Sequence, residues 1–244
     1  MTKTILFDFG QTLVNSADGF RAAEKKAKQN IYANFSAGKP PWDLFLMEYR
    51  KIRKAFHQDS NFSRPAIWQA VYETFRLKPD PGQLQDWETR YWEQVKTLTI
   101  PFPETIQTLE QLVGQCPLAL ITNTQGQETA GTHRIALFPQ LEKFFDVVVV
   151  AGEGGIPTKP DPEPFRQCLK AMGVPAEEAV YVGDDWRIDI CGARNVGIQP
   201  VWIQHHSVKR NWPEVEPFEP TITHLDQLLT LPFILSGAQE RSNP

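Results

Sequence analysis

Near-continuous apolar runs in the second half of the chain constrain its fold more than any other feature. They read "PLALITNT", "FDVVVVAGE", "AVYVGDD" and "QPVWIQ", with helical stretches such as "PEPFRQCLKAMG" and "WRIDICGARNVG" between them. A strand that is apolar at successive positions needs cover on both faces, and strands that alternate with helices run parallel. The pattern predicts an α/β fold on a parallel sheet. The chain opens with another such run, Thr4–Asp8, which has no partner nearby in sequence and is expected to join the same sheet.

Residues 15–100 have a different texture. Phe20, Ala23, Ala27 and Ile31 recur at helical spacing, as do Trp42, Phe45, Tyr49, Ile52 and Phe56. Ile67, Val71 and Phe75 form a third stripe, and Leu84, Trp87, Tyr91, Val95 and Leu98 a fourth. "SAGKPPWD" separates the first pair of helices and "LKPDPGQ" the last. These stripes read as the core of a helix bundle inserted after the first strand. The tail "SGAQERSNP" reads as disordered.

Composition narrows the function classes. With 41% hydrophobic and 22% charged residues, the chain has the make-up of a soluble globular protein. A net charge of −4 gives no electrostatic reason to expect nucleic acid or an anionic membrane as partner. Cys116, Cys168 and Cys191 are odd in number and fit neither a disulfide framework nor a CxxC metal site, so reduced thiols in a cytoplasmic protein are expected. A strand at the very start leaves no room for a signal peptide, and no apolar run approaches the ~20 residues that span a bilayer.

In an open parallel sheet, ligands bind at the carboxyl ends of the strands. The polar residues at those ends are Asp8, then Thr122 and Asn123, then Asp184 and Asp185 with Asp189 a few positions on. Lys159 lies in the loop after the third run. Acids, a hydroxyl and a lysine converging on one edge are costly without a metal or an anion to bind.

Taken in order, "DFGQT", "LITNT", "TKPDPEPF" and "VGDDWRIDICGARNVG" resemble the haloacid dehalogenase-like (HAD) hydrolase superfamily, and the resemblance covers the whole chain. The last two stretches are the most specific. The resemblance implies a Rossmann-like parallel-sheet core, residues 1–14 and 101–244, with an inserted α-helical cap domain, residues 15–100. It also implies a Mg²⁺-dependent phosphatase acting on a small phosphorylated substrate. Asp8 would attack phosphorus and become a transient aspartyl phosphate. Asp8, the backbone carbonyl of Gly10 and Asp184 would hold Mg²⁺, with Asp189 beside or behind them. Thr122 and Asn123 would meet the phosphoryl group, and Lys159 would offset charge on nucleophile and substrate. Asp185 reads equally as a helix cap.

Gly10 stands where most phosphatases of this superfamily carry a second aspartate, the general acid and base. Its carbonyl survives, so the metal site does not need the missing side chain. General acid–base catalysis contributes roughly 10²–10⁴-fold against total accelerations of 10⁶ or more, so the loss impairs without silencing. Two alternatives follow from a small residue at this position. One is phosphonate C–P cleavage, with Lys51 or Lys54 in "EYRKIRKAF" as a Schiff-base lysine. The other is a non-catalytic HAD-fold binding protein. Haloacid dehalogenation fits worse, because that branch carries tyrosine here and uses no metal. Substrate choice is expected to come from the cap, with Lys39 and Trp42 in "SAGKPPWD" pointing inward.

Overall fold

The structure, a computed structural model, describes residues 3–35, 39–58, 61–126, 134–208, 212–216, 218 and 220–235. The chain folds as two compact units. One comprises Met1–Asn15, Ile100–Asn123 and Ile135–Pro244, the other Ser16–Thr99 and Thr124–Arg134.

The first unit is a mostly parallel α/β fold. Its sheet runs β5 (Val147–Ala151), β4 (Leu118–Asn123), β1 (Thr4–Phe7), β6 (Ala179–Gly183), β7 (Gln199–Ile203) and β8 (Thr221–Ile222), with every pairing parallel. β1 is central: Phe7 is in register with Leu120 of β4 on one side and Val182 of β6 on the other. Alternation along the strands explains their continuous apolar character. Ile5, Phe7, Leu120 and Val182 belong to one buried cluster, and Leu6, Ala119, Ile121 and Tyr181 to a second on the opposite face. Helix α5 (Thr105–Val113) adds Leu109 and Leu112 to the first cluster. The short α6 (Pro139–Glu142) adds Leu141 to the first as well, and helix α7 (Pro162–Met172) adds Phe165, Cys168 and Leu169 to the second. The α7 signals are local: Asp161 caps the Glu163 N–H, Pro162 opens the helix, and Gly173 closes it at φ 67°.

The second unit is helical: α1 (Ala17–Ala33), α2 (Trp42–Gln58), α3 (Arg64–Thr74) and α4 (Pro81–Thr97). The expected stripes supply its core through Ala23, Ile31, Phe45, Tyr49, Ile67, Val71, Trp87 and Tyr91. The stripe ends differ from expectation. Trp42 at the start of α2 is 38% exposed and Leu98 just past α4 is 41% exposed, because a terminal turn has neighbours on one side only. The aromatic stripes also enclose charge: the Arg64 guanidinium lies over the rings of Tyr91 and Trp92, and the Tyr91 hydroxyl donates to Glu24.

"WRIDICGARNVG" is helical as expected, as a π turn, Trp186–Ile190, continued by the short α8 (Cys191–Asn195). β8 and the antiparallel pair β2 (Val14–Asn15) with β3 (Ile100–Pro101) are two residues long per strand, too short for a periodicity to register. The tail "SGAQERSNP" and Ser36–Gly38 of the first cap turn lie outside the described residues. No helix among the described residues is long and apolar enough to cross a membrane.

Candidate active site

Asp8 follows the last residue of β1, Thr122 and Asn123 close β4, and Asp184 follows β6. These three strands are adjacent, so their carboxyl ends form one edge at the point where the strand order reverses about β1. Asp8, Thr122, Lys159, Asp184 and Asp189 are all buried, Lys159 at 3% exposure.

The Lys159 ammonium is the hub. It donates to Asp8 Oδ1 and to Asp189 Oδ1, each at 2.8 Å, and lies 3.0 Å from the Ile121 carbonyl and 2.7 Å from the Tyr181 hydroxyl. Three N–H groups face four oxygens, so the tyrosine hydroxyl mediates. It sits 3.1 Å from Asp189 Oδ1 and 3.2 Å from the Ile121 carbonyl, and can accept from the lysine while donating to either. Burial, then the charges of Asp189 and Asp8, push the Tyr181 pKa well up, so the hydroxyl keeps its proton. For Lys159, burial favours the neutral amine, but the carboxylates of Asp189 and Asp8 outweigh it and the net shift is upward. Asn123 holds this lysine from behind. Its Oδ1 accepts the Lys159 N–H at 2.8 Å and its Nδ2 donates to the Lys159 carbonyl at 3.2 Å. The sequence offered Asn123 for the substrate; both polar ends of its amide are bonded to the lysine's backbone.

The acidic loop is built around close approach. The Asp189 Oδ2 atom accepts the Asp185 N–H at 2.9 Å, which folds the π turn back onto the strand end. A Cβ on Gly183 would lie 2.5 Å from Asp189 Cβ and 2.6 Å from its Cγ, so only glycine leaves room for this carboxylate. A Cβ on Gly192 would lie 2.8 Å from the Phe165 ring, which ties the phenylalanine of "KPDPEPF" to the glycine of "CGARNVG". Asp185 Oδ1 accepts the N–H groups of Arg187 and Ile188 at 3.0 and 2.9 Å, which is the work of a helix cap.

One carboxylate oxygen from each of Asp8, Asp184 and Asp189 can be chosen so that all lie within 4.8 Å of one another. Lys159 is paired with Asp8 and Asp189, and burial, opposed by Lys159 and reinforced by Asp8, still drives the Asp189 pKa above the ordinary carboxylate range. An all-oxygen, acidic donor set of this kind suits a hard divalent cation such as Mg²⁺.

The loop after Asp8 is a tight turn. The Leu13 and Val14 N–H groups both reach the Phe9 carbonyl, at 3.0 and 3.3 Å, and the Gln11 N–H reaches the Val14 carbonyl at 2.8 Å. Gln11, beside Gly10, takes the left-handed conformation at φ 63°, uncommon for a residue with a side chain. The Thr12 hydroxyl lies 3.4 Å from Asp8 Oδ2.

Sequence reasoning assigned no role to Thr12 or Tyr181. The signal for Tyr181 is visible in retrospect: it is the one polar-tipped residue in the buried strand "AVYVG", and a buried tyrosine needs a partner for its hydroxyl. In the helical unit, Lys51 is 76% exposed beside Glu48, and Lys54 is also exposed. The Lys39 ammonium lies over the Tyr32 ring, and Trp42 packs edge-on against the same ring.

The chain is similar in sequence and in fold to known hydrolases. A family model described as haloacid dehalogenase-like hydrolase matches residues 2–197. A glyceraldehyde 3-phosphate phosphatase of Pyrococcus furiosus is 30% identical over 229 residues, covering 93% of this chain and 91% of the relative. Among solved structures, a 2-haloacid dehalogenase of Pseudomonas syringae superposes with a TM-score of 0.67 at 26% identity, covering 98% of this chain and 100% of the other. A HAD phosphatase of Thermococcus onnurineus, 22% identical, has a similar fold, with a TM-score of 0.64 over 94% of this chain and 97% of its own.

Proposed function

The chain belongs to the haloacid dehalogenase-like hydrolase family, and from that premise we propose that it is a Mg²⁺-dependent phosphatase that removes phosphate from a small phosphorylated metabolite through an aspartyl phosphate on Asp8. The observation that carries this reading is the buried Asp8, fixed at Oδ1 by the Lys159 ammonium within a cluster of three aspartates. The relatives named as glyceraldehyde 3-phosphate phosphatases support a small phosphomonoester as substrate.

In this mechanism a carboxylate oxygen of Asp8 forms a bond to phosphorus as the bond to the leaving oxygen breaks, the electron pair departing with that oxygen. Water then attacks phosphorus, the Asp8–phosphorus bond breaks, and the carboxylate and free phosphate are regenerated. Lys159 holds Asp8 in one orientation and offsets its charge as the anionic substrate arrives. Thr122 is assigned to the phosphoryl oxygens, and Asn123 to holding the Lys159 backbone. Asp8, Asp184, the Gly10 carbonyl and Asp189 are the residues that would hold Mg²⁺, which supplies the positive charge needed between two anions. The inserted helices are assigned the cap that selects the substrate.

The phosphonate alternative is disfavoured by its lysines. A Schiff-base lysine works as the neutral amine, which desolvation or a nearby cation provides, whereas Lys51 and Lys54 are exposed.

The test is Asp8→Asn, assayed with an aryl phosphate and Mg²⁺. Turnover is expected to vanish while circular dichroism stays that of the wild type. Residual activity of about a tenth or more removes Asp8 as nucleophile, and a wild type that binds Mg²⁺ without turning over any phosphate makes the protein a binding module.

A further inference from the structure

His205, in the loop after β7, is 2% exposed and 193 residues from Thr12 in sequence, yet its ring reaches the nucleophile loop. Its Nε2 lies 3.0 Å from the Thr12 carbonyl. A carbonyl only accepts, so Nε2 carries the proton in this contact. The ring is stacked on Phe102 with centroids 3.5 Å apart and planes 16° from parallel. Glu104 backs the other nitrogen, with Oε1 3.6 Å from Nδ1, and the same oxygen accepts the Leu225 N–H at 3.2 Å. Burial lowers the pKa of His205, against the Thr12 carbonyl and Glu104, which favours the neutral ring with its single N–H on Nε2.

The neighbouring carbonyl is gripped as well. The Thr105 hydroxyl donates to the Leu13 carbonyl at 2.9 Å, and the Phe102 N–H reaches it at 3.1 Å. Two consecutive carbonyls of the turn that follows Asp8 are thus held by donors lying at least 89 residues away in sequence. The turn needs such a hold, because Gln11 is kept in a conformation that a residue with a Cβ seldom adopts unaided. It also matters to the nucleophile, because the Thr12 side chain touches Asp8 Oδ2.

We propose that His205 is a positioning residue: its Nε2–H on the Thr12 carbonyl fixes the turn that orients Asp8, with the stacked Phe102 ring holding the imidazole in place. The inference rests on Asp8 being the nucleophile, and its test separates the two ideas. His205→Phe keeps a ring to stack on Phe102 but removes the donor, whereas His205→Gln keeps a side-chain N–H. Turnover of an aryl phosphate by the Phe variant should fall roughly 10- to 10²-fold in kcat with KM little changed, the size expected when a reacting group is misplaced. The Gln variant should recover most of that loss. Amide hydrogen exchange provides the readout that needs no activity: the Leu13 and Val14 amides should exchange faster in the Phe variant and near the wild-type rate in the Gln variant. The proposal is overturned if kcat and exchange in the Phe variant match wild type, or if both variants lose activity in step with thermal stability. If wild type turns over no phosphate, the nucleophile reading falls, and unchanged exchange in the Phe variant then overturns the hold on the turn as well.

Discussion

At Asp8 the Lys159 ammonium supplies a positive charge, and Gly10 offers no side-chain proton donor two positions on. The consequence depends on the leaving group. Aryl phosphates depart as weakly basic anions and need little protonation, whereas sugar and triose phosphates depart as strongly basic alkoxides. The wild-type rate is therefore expected to fall steeply as leaving-group pKa rises. Gly10→Asp should flatten that slope and raise alkyl phosphate turnover by up to roughly 10²-fold, within the range of acid–base catalysis. A plot of log kcat/KM against leaving-group pKa for both proteins decides it. A shallow wild-type slope means that another group delivers the proton, with Gln11 the first to mutate. A uniform loss in the variant means that the turn, already tight at Gln11, does not accept the side chain. At this scale the sequence is legible wherever position implies chemistry. Asp8, Lys159, Asp184 and Asp189 follow buried strands or sit in a specific motif, and the structure brings them together. His205 is not legible, because its contact with Thr12 spans 193 residues and comes from packing between segments, not from any local pattern.

Among the elements, the acidic loop shows how a motif encodes space as well as charge. Gly183 ends β6 and the π turn begins three residues later, so that the Asp189 carboxylate folds back over the strand end. A methyl group at position 183 would lie 2.5 Å from Asp189 Cβ, a separation that real structures do not tolerate. Gly183→Ala is thus expected to displace Asp189 from Lys159, lower kcat by roughly 10-fold or more, and destabilise the fold, since unsettling a buried ion pair costs about 3–5 kcal/mol when one partner is lost. Gly114→Ala is the control. That glycine ends α5 at φ −75° with nothing within 4 Å of its would-be Cβ, so the change should be neutral or slightly stabilising. Thermal melts and turnover of both variants test the contrast, and an active, stable Gly183→Ala protein would show that the turn moves freely. Unbroken apolar runs and long helical stripes are legible in the sequence, as β4 and α1 illustrate. β8 and the β2–β3 pair are not, because two residues carry no period. The buried Glu24 and Arg64 are not legible either, because their burial comes from helix packing that charge alone would argue against.

For the whole molecule, near-continuous apolar runs and stripes at helical spacing mark out a sheet and a set of helices, and each has its own core. The buried clusters of the sheet unit contain no residue of α1–α4, and the cluster built on Phe45, Trp68 and Tyr91 contains none of the sheet. The three aspartates all belong to the sheet unit. A cation that binds only when those aspartates are assembled stabilises by RT ln(1 + [L]/Kd), about 2.7 kcal/mol at a hundred times Kd. Only openings that dismantle the site feel that stabilisation. Saturating Mg²⁺ should therefore slow amide exchange in β1, β4 and β6 by up to roughly 10²-fold, the same free energy expressed as a ratio. Exchange in α1–α4 should stay nearly unchanged wherever those helices open on their own. Asp184→Ala should abolish the effect on the sheet while leaving the helices as they were. Two results decide against this account. An undiminished metal response in Asp184→Ala means that the cation binds elsewhere and the buried triad is not its site. Equal protection of sheet and helices means that the two cores unfold as one cooperative body, despite sharing no buried cluster.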